Sequence, residues 1–99
     1  MTQTLPENAV KYSESPLFTQ DTIPAALRRD HNTKPGVWGQ IVVSEGTLNY
    51  LRENLPAQQI PAGETAVIWP QEPHKVAPVG SVAFKVEFYR IPDAAEDQT

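Results

Sequence analysis

Proline sets the first limit on this chain. Ten of its 99 residues are proline, about twice the usual share. Each one removes a backbone N–H donor and fixes φ. Together with the scarcity of long periodic apolar runs, they argue against a helix bundle. What remains between the prolines is a set of short extended segments joined by turns.

The N-terminal stretch 1–16 is polar and carries Pro6 and Pro16, so it reads as irregular or as an edge segment. Leu27 to His31 reads as a strand or as a short helix after Pro24. Asn32-Thr33-Lys34-Pro35-Gly36 is a turn signal, and Val37 to Ser44 is rich in β-branched and aromatic residues, as strands are. Glu45-Gly46 reads as a hairpin turn, with Thr47 to Arg52 as the returning strand. Thr65 to Trp69 is a further strand, which Pro70 ends. His74 to Ala77 is short and extended, and Pro78-Val79-Gly80 reads as another reversal. Ser81 to Arg90 is the longest strand, with Phe84, Val86 and Phe88 on one face and Ala83, Lys85, Glu87 and Tyr89 on the other. Five to seven short strands at intervals of about 8–12 residues predict an all-β sandwich or small barrel. Ile41-Val42-Val43 and Ala66-Val67-Ile68-Trp69 are apolar on both faces, which suits strands sealed in a packed barrel.

The chain length, 11.0 kDa in all, predicts one domain over 1–99, with an ordered core at about 12–91 and frayed ends. The longest unbroken apolar stretch is Ala66 to Trp69, far short of the roughly 20 residues of a membrane span. Residues 1–10 lack the basic start and apolar centre of a signal peptide. No cysteine is present, so there is no disulfide framework, thiolate metal site or cysteine nucleophile. These features favour the cytoplasm. A net charge of −4 without any basic block disfavours nucleic acid as a partner. The five glycines form neither dinucleotide nor P-loop spacing.

Two histidines exist, His31 and His74, each beside a turn at a strand end. A barrel can bring such ends together, and two histidines with one carboxylate is a common catalytic metal set. Glu87 is the third candidate, because a carboxylate among apolar neighbours needs a partner. Lys85 on the same face offers one, and Glu87 facing water on an amphipathic strand is the plain alternative. Arg29 shares a face with Leu27 and His31 if that segment is extended, and its guanidinium suits an oxyanion. A solvated pair with Asp30 is the other reading. Trp38 and Trp69 either wall a pocket or pack in the core or rim. The serines lack a histidine and an acid at recognisable spacing, so nothing supports a serine hydrolase.

The segment His31-Asn32-Thr33-Lys34-Pro35-Gly36-Val37-Trp38-Gly39, with a tight turn at Gly46, resembles the small TehB/YeaR-like cupin-like domain. So does Pro70-Gln71-Glu72-Pro73-His74-Lys75-Val76. Ser15-Pro16-Leu17-Phe18-Thr19 with Ile23-Pro24 fits the opening of that domain, and the likeness spans roughly residues 12–91. The domain occurs alone and as the N-terminal part of tellurite-resistance protein B. The resemblance implies a cupin-like double-stranded β-barrel, a small jelly-roll-type sandwich. It also implies a metal held by histidines and one acid, and His74 matches the histidine of the second cupin motif. The first motif departs from the pattern. Arg29 stands two residues before His31 where a histidine is usual, and Gln40 falls near the place of the glutamate.

These readings lead to one expectation. A cytoplasmic cupin-like barrel binds a divalent metal, zinc among the candidates, and a small molecule or oxyanion. It serves an accessory role in tellurite or related oxyanion stress. His31, His74 and Glu87 are the metal candidates, and Arg29, Trp38 and Gln40 the ligand-binding ones. The methyl transfer that the resemblance associates with the two-domain protein belongs to a separate C-terminal domain, so this chain is not expected to methylate. Two other readings stand beside it. One is a metal-dependent enzyme acting on a small substrate. The other is a metal-free module that dimerises or docks a partner, a homodimer being the simplest form. Neither a membrane nor a nucleic acid is expected as partner.

Overall fold

In the computed structural model, residues 5–29, 32–53 and 55–91 are described. They form six strands and one short 3-10 helix. The strands are β1 (Val10–Glu14), β2 (Phe18–Thr19), β3 (Val37–Arg52), β4 (Gln58–Pro61), β5 (Thr65–Ile68) and β6 (His74–Arg90), and the 3-10 helix is Ala25–Arg28. All pairings are antiparallel. The path runs β1-β6-β3-β4, with β2 also on β6 and β5 also on β3. The all-β expectation holds, and Leu27 resolves into the helical alternative. The polar start contributes an exposed edge strand, β1. The expected frayed tail, Pro92 to Thr99, lies outside the described residues.

Two turns of the sequence reading are corrected. Glu45-Gly46 does not reverse the chain, and neither does Pro78-Val79-Gly80. Each lies inside a long strand, β3 of 16 residues and β6 of 17. A straight strand of 16 residues would run about 50 Å and enclose nothing. The strands bend instead, at bulges that face each other. Val43 pairs with Phe84 but Glu45 with Ala83, which leaves Ser44 over; Gly46 pairs with Val82 but Thr47 with Val79. Bulges of this kind kink the ladder and sharpen its twist. Gly46 sits at φ +72°, and a Cβ there would lie 1.9 Å from the Ser81 carbonyl oxygen. Only glycine permits that approach. The bulge is tied down by polar contacts. Ser44 Oγ donates to the Ala83 carbonyl at 3.2 Å, and the Val82 N–H donates to Gln20 Oε1 at 3.1 Å.

Bending lets each half of β3 find its own neighbour. Gly39 to Val42 pair with β5, and Thr47 to Tyr50 pair with β4. The second halves fold over the first, and Tyr50 Oη reaches across to donate to the Val67 carbonyl at 3.3 Å. The core inside includes Ile41, Val43, Leu48, Ile60, Val82 and Phe84. Phe18 brings β2 onto it, edge to face with Phe84 at 5.7 Å between ring centres. The two apolar runs behave as read: Ile41 and Val43 are buried, as are Ala66, Val67 and Ile68. Trp69 is exposed at the end of its run.

Candidate functional site

Alternation along β3 and β6 divides the site residues between two faces. The inner face encloses a cavity of about 490 Å³. Ile41 and Val37 from β3, Ile68 from β5, and Phe84, Val86 and Phe88 from β6 form its apolar wall. Phe18 and Leu27 close it from the N-terminal segment, and Asn32, Thr33 and Lys34 stand at its mouth. Volumes of about 300–1,000 Å³ with a largely apolar lining are typical of small-molecule pockets.

His74 lines this cavity and is 2% exposed. Its place follows from Pro73, which ends the preceding loop, and from register, which sets it opposite Arg52 on β3. The ring Nδ1 lies 2.9 Å from the Glu72 carbonyl oxygen. A carbonyl only accepts, so Nδ1 carries the proton and, in the neutral ring, Nε2 is the acceptor nitrogen. Tyr50 meets the imidazole edge to face at 5.8 Å. Burial pushes the Tyr50 phenol well above its usual range, so it stays protonated. The Arg52 guanidinium lies 5.1 Å over the Tyr50 ring centre, with Nη1 3.8 Å from Glu72 Oε1. His74 is thus oriented by its backbone acceptor and by the aromatic ring beside it.

Of the expected His31–His74–Glu87 set, His74 lines the cavity and Glu87 does not. Glu87 lies on the outer face, opposite the Phe84-Val86-Phe88 side of the same strand that walls the cavity. It accepts from Tyr89 Oη at 3.0 Å, and Lys11 and Lys85 each stand 3.4 Å from its Oε2. The Lys85 partnership foreseen from sequence is therefore present. His31 and Asp30 lie outside the described residues. Among the described residues no three His, Cys, Asp or Glu side chains converge on a point that could hold a metal ion.

The ligand-binding candidates are also placed away from the cavity. Gln40 is on the outer face, where Tyr89 Oη donates to its Oε1 at 3.4 Å. Trp38 pairs across the sheet with Tyr89 on that face and packs against Trp69, ring centres 5.1 Å apart. The packing alternative for Trp38, not the pocket wall, is what the fold adopts. Arg29 is exposed, directly after the 3-10 helix. It is not among the described residues that line the cavity. Lys34 stands at the mouth, and no sequence signal separates a turn lysine from a mouth lysine.

The outer face has its own electrostatics. Glu14 is held below the usual carboxylate range, first by its hydrogen bond from Lys11 and then by Lys85. Burial would raise Glu87, but hydrogen bonds from Tyr89 and Lys11 and the charge of Lys11 outweigh it, and its carboxyl is also lowered. Both carboxylates therefore hold β1 to β6 above the ordinary carboxylate pKa, and that contribution is lost as pH falls through their depressed values. Lys11 is raised, chiefly by Glu14, so its share is lost only as pH climbs past the ordinary lysine value. Hydrogen-exchange protection of the β1 amides should hold at neutral pH and fall below about pH 4, while the β3 amides keep theirs. Equal loss in both strands would contradict this.

The molecule has a cupin-like fold: an antiparallel barrel with a buried histidine against an apolar cavity. It shares the fold of a cupin-2 domain containing protein from Shewanella frigidimarina NCIMB 400: TM-score 0.52 and 18% identity over 85% of this chain and 72% of that one. More closely, the chain belongs to the TehB-like domain family, which it matches over residues 13–86. It is 35% identical over 71 residues to the probable S-adenosyl-L-methionine-dependent methyltransferase TehB of Haemophilus influenzae, a match covering 66% of this chain. It spans only 25% of that protein's length. It is 28% identical over 100 residues to the uncharacterized protein YeaR of Escherichia coli K12, covering 90% of this chain and 84% of that one.

Proposed function

We propose that this barrel is a small-molecule-binding domain whose ligand occupies the inner cavity, with His74 as its buried polar anchor. The cavity itself carries the reading: about 490 Å³ walled by apolar side chains, with one imidazole oriented from behind by the Glu72 carbonyl. An apolar wall supplies affinity through burial, and a few placed polar groups fix orientation. His74 acts here by accepting or donating a hydrogen bond, and the reading assigns it no part in a bond-making step.

The neutral fluorophore N-phenyl-1-naphthylamine tests this reading. Its emission should rise on adding the protein and saturate near one equivalent. Ala26, exposed in the 3-10 helix at the cavity mouth, can be enlarged without disturbing the core. Ala26→Trp should weaken the dye by at least about tenfold with the melting temperature unchanged. Undiminished binding would place the dye elsewhere and defeat the reading.

Family membership supports an accessory role in tellurite or related oxyanion stress, and we propose the cytoplasm as its setting. Production of the chain in a tellurite-sensitive bacterium should raise the tolerated tellurite concentration, and Ala26→Trp should remove that gain. Unchanged tolerance would overturn the stress role and leave the cavity reading standing.

A further inference from the structure

The cavity is electrostatically unlike the molecule that contains it. The chain carries 12 acidic and 8 basic residues, a net charge of −4. No carboxylate is found among the described residues that line the cavity, whereas Lys34 and His74 both are. The Lys34 backbone is fixed in its turn, with the side chain exposed. Its carbonyl accepts from the Val37 N–H at 3.0 Å, closing the turn into β3. Its neighbour Thr33 donates through Oγ1 to the Val37 carbonyl at 2.8 Å and accepts from the Gln71 N–H at 3.2 Å. The mouth segment is thus pinned both to β3 and to the loop before β6, which fixes where the Lys34 backbone stands, while Phe18, Phe84 and Phe88 line the interior.

We propose that the cavity selects an amphipathic anion: a carboxylate or sulfonate on a compact aromatic or branched apolar body. Lys34 meets the charge at the mouth, and the phenylalanine-lined interior takes the body. A cationic ligand of the same shape is disfavoured, since it would face a lysine with no carboxylate among the described lining to offset it. This inference rests on the cavity being a ligand site. It adds the class of ligand that the site takes and the residue that selects it.

Two dyes with the same apolar body separate the two claims. 8-Anilinonaphthalene-1-sulfonate is N-phenyl-1-naphthylamine with one sulfonate added. Each is titrated into the whole chain at low ionic strength, where screening is weakest. Lys34→Glu, on an exposed side chain, should weaken the sulfonate about tenfold and change the neutral dye by less than about twofold. Added salt should weaken the sulfonate on the wild-type protein and have little effect on the neutral dye. If Lys34→Glu leaves the sulfonate unchanged, or weakens both dyes alike, the anion preference is overturned and the cavity reading survives. If Ala26→Trp leaves both dyes bound as before, the cavity reading falls, and this inference with it. Near-ultraviolet circular dichroism of each variant confirms that the sulfonate dye is not reporting a loosened fold.

Discussion

Phe84→Ala is expected to lower the melting temperature by about 15–30 °C. The side chain is fully buried in the middle of β6. Truncating a buried phenylalanine removes about 3–5 kcal/mol, part from lost transfer energy and part from the space left behind. In a domain of this size each kcal/mol corresponds to about 4–8 °C. Two features place Phe84 at the upper end of that range. It faces the cavity, so the vacated volume joins space that neighbouring side chains already do not fill. It is also the edge-to-face partner of Phe18, directly across the β2–β6 register. Losing it therefore loosens β2, the two-residue strand that helps close the cavity. Total domain stability is about 5–15 kcal/mol, so Phe84→Ala should remove a large share of it. A fall of only a few degrees, measured by calorimetry, would mean that the inner wall does not depend on this ring.

Gly46→Ala is the second large effect, and its partner Gly63→Ala separates the causes. Both glycines have positive φ, +72° and +88°. Placing alanine in that region costs about 1 kcal/mol at either site. Gly63 has nothing within 4 Å of an added Cβ, so its loss should stay near about 4–8 °C. At Gly46 the added carbon meets the Ser81 carbonyl oxygen at 1.9 Å and the Val82 Cα at 3.0 Å. Backbone cannot swing aside as a side chain does, so the bulges of β3 and β6 must separate. Forcing atoms into a filled site adds about 1–3 kcal/mol, for a total fall of about 10–25 °C. Equal losses at the two glycines would show that the close approach at the bulge is not what demands Gly46.

These two positions also show what the sequence could and could not convey. Strand identity was legible wherever β-branched and aromatic residues cluster, as at Val37 to Ser44 and Ser81 to Arg90. The bends were not. A glycine beside a turn former marks a need for positive φ, and both a reversal and a bulge meet that need. What decides between them at Gly46 is Ser81, 35 residues further along the chain, which no local pattern contains. Pro78 misled in the same way, since it sits inside β6 opposite Leu48 without ending the strand.

The site was partly legible for the same reason. His74 follows a proline turn into an apolar strand, and it is buried against the cavity. The alternation that sets Phe84, Val86 and Phe88 on one side of β6 already sets Glu87 on the other, so strand period alone separates Glu87 from that cavity. Trp38 and Gln40 fall outside by the same rule, one residue away from Val37, Gly39 and Ile41. The cavity itself is a property of the folded-over halves of β3 and β6. Its mouth lysine becomes recognisable only once Thr33 is seen bridging Val37 and Gln71.

The most direct measurement is where a bound molecule sits. Nuclear Overhauser contacts from N-phenyl-1-naphthylamine to the methyl groups and aromatic rings of the labelled protein report this in solution. Contacts to Ile41, Ile68, Val76 and Val86, with the Phe18, Phe84 and Phe88 rings nearby, are the expected result. Contacts confined to the Trp38 and Trp69 rings on the outer face would contradict the account and make the inner cavity a structural space without a ligand.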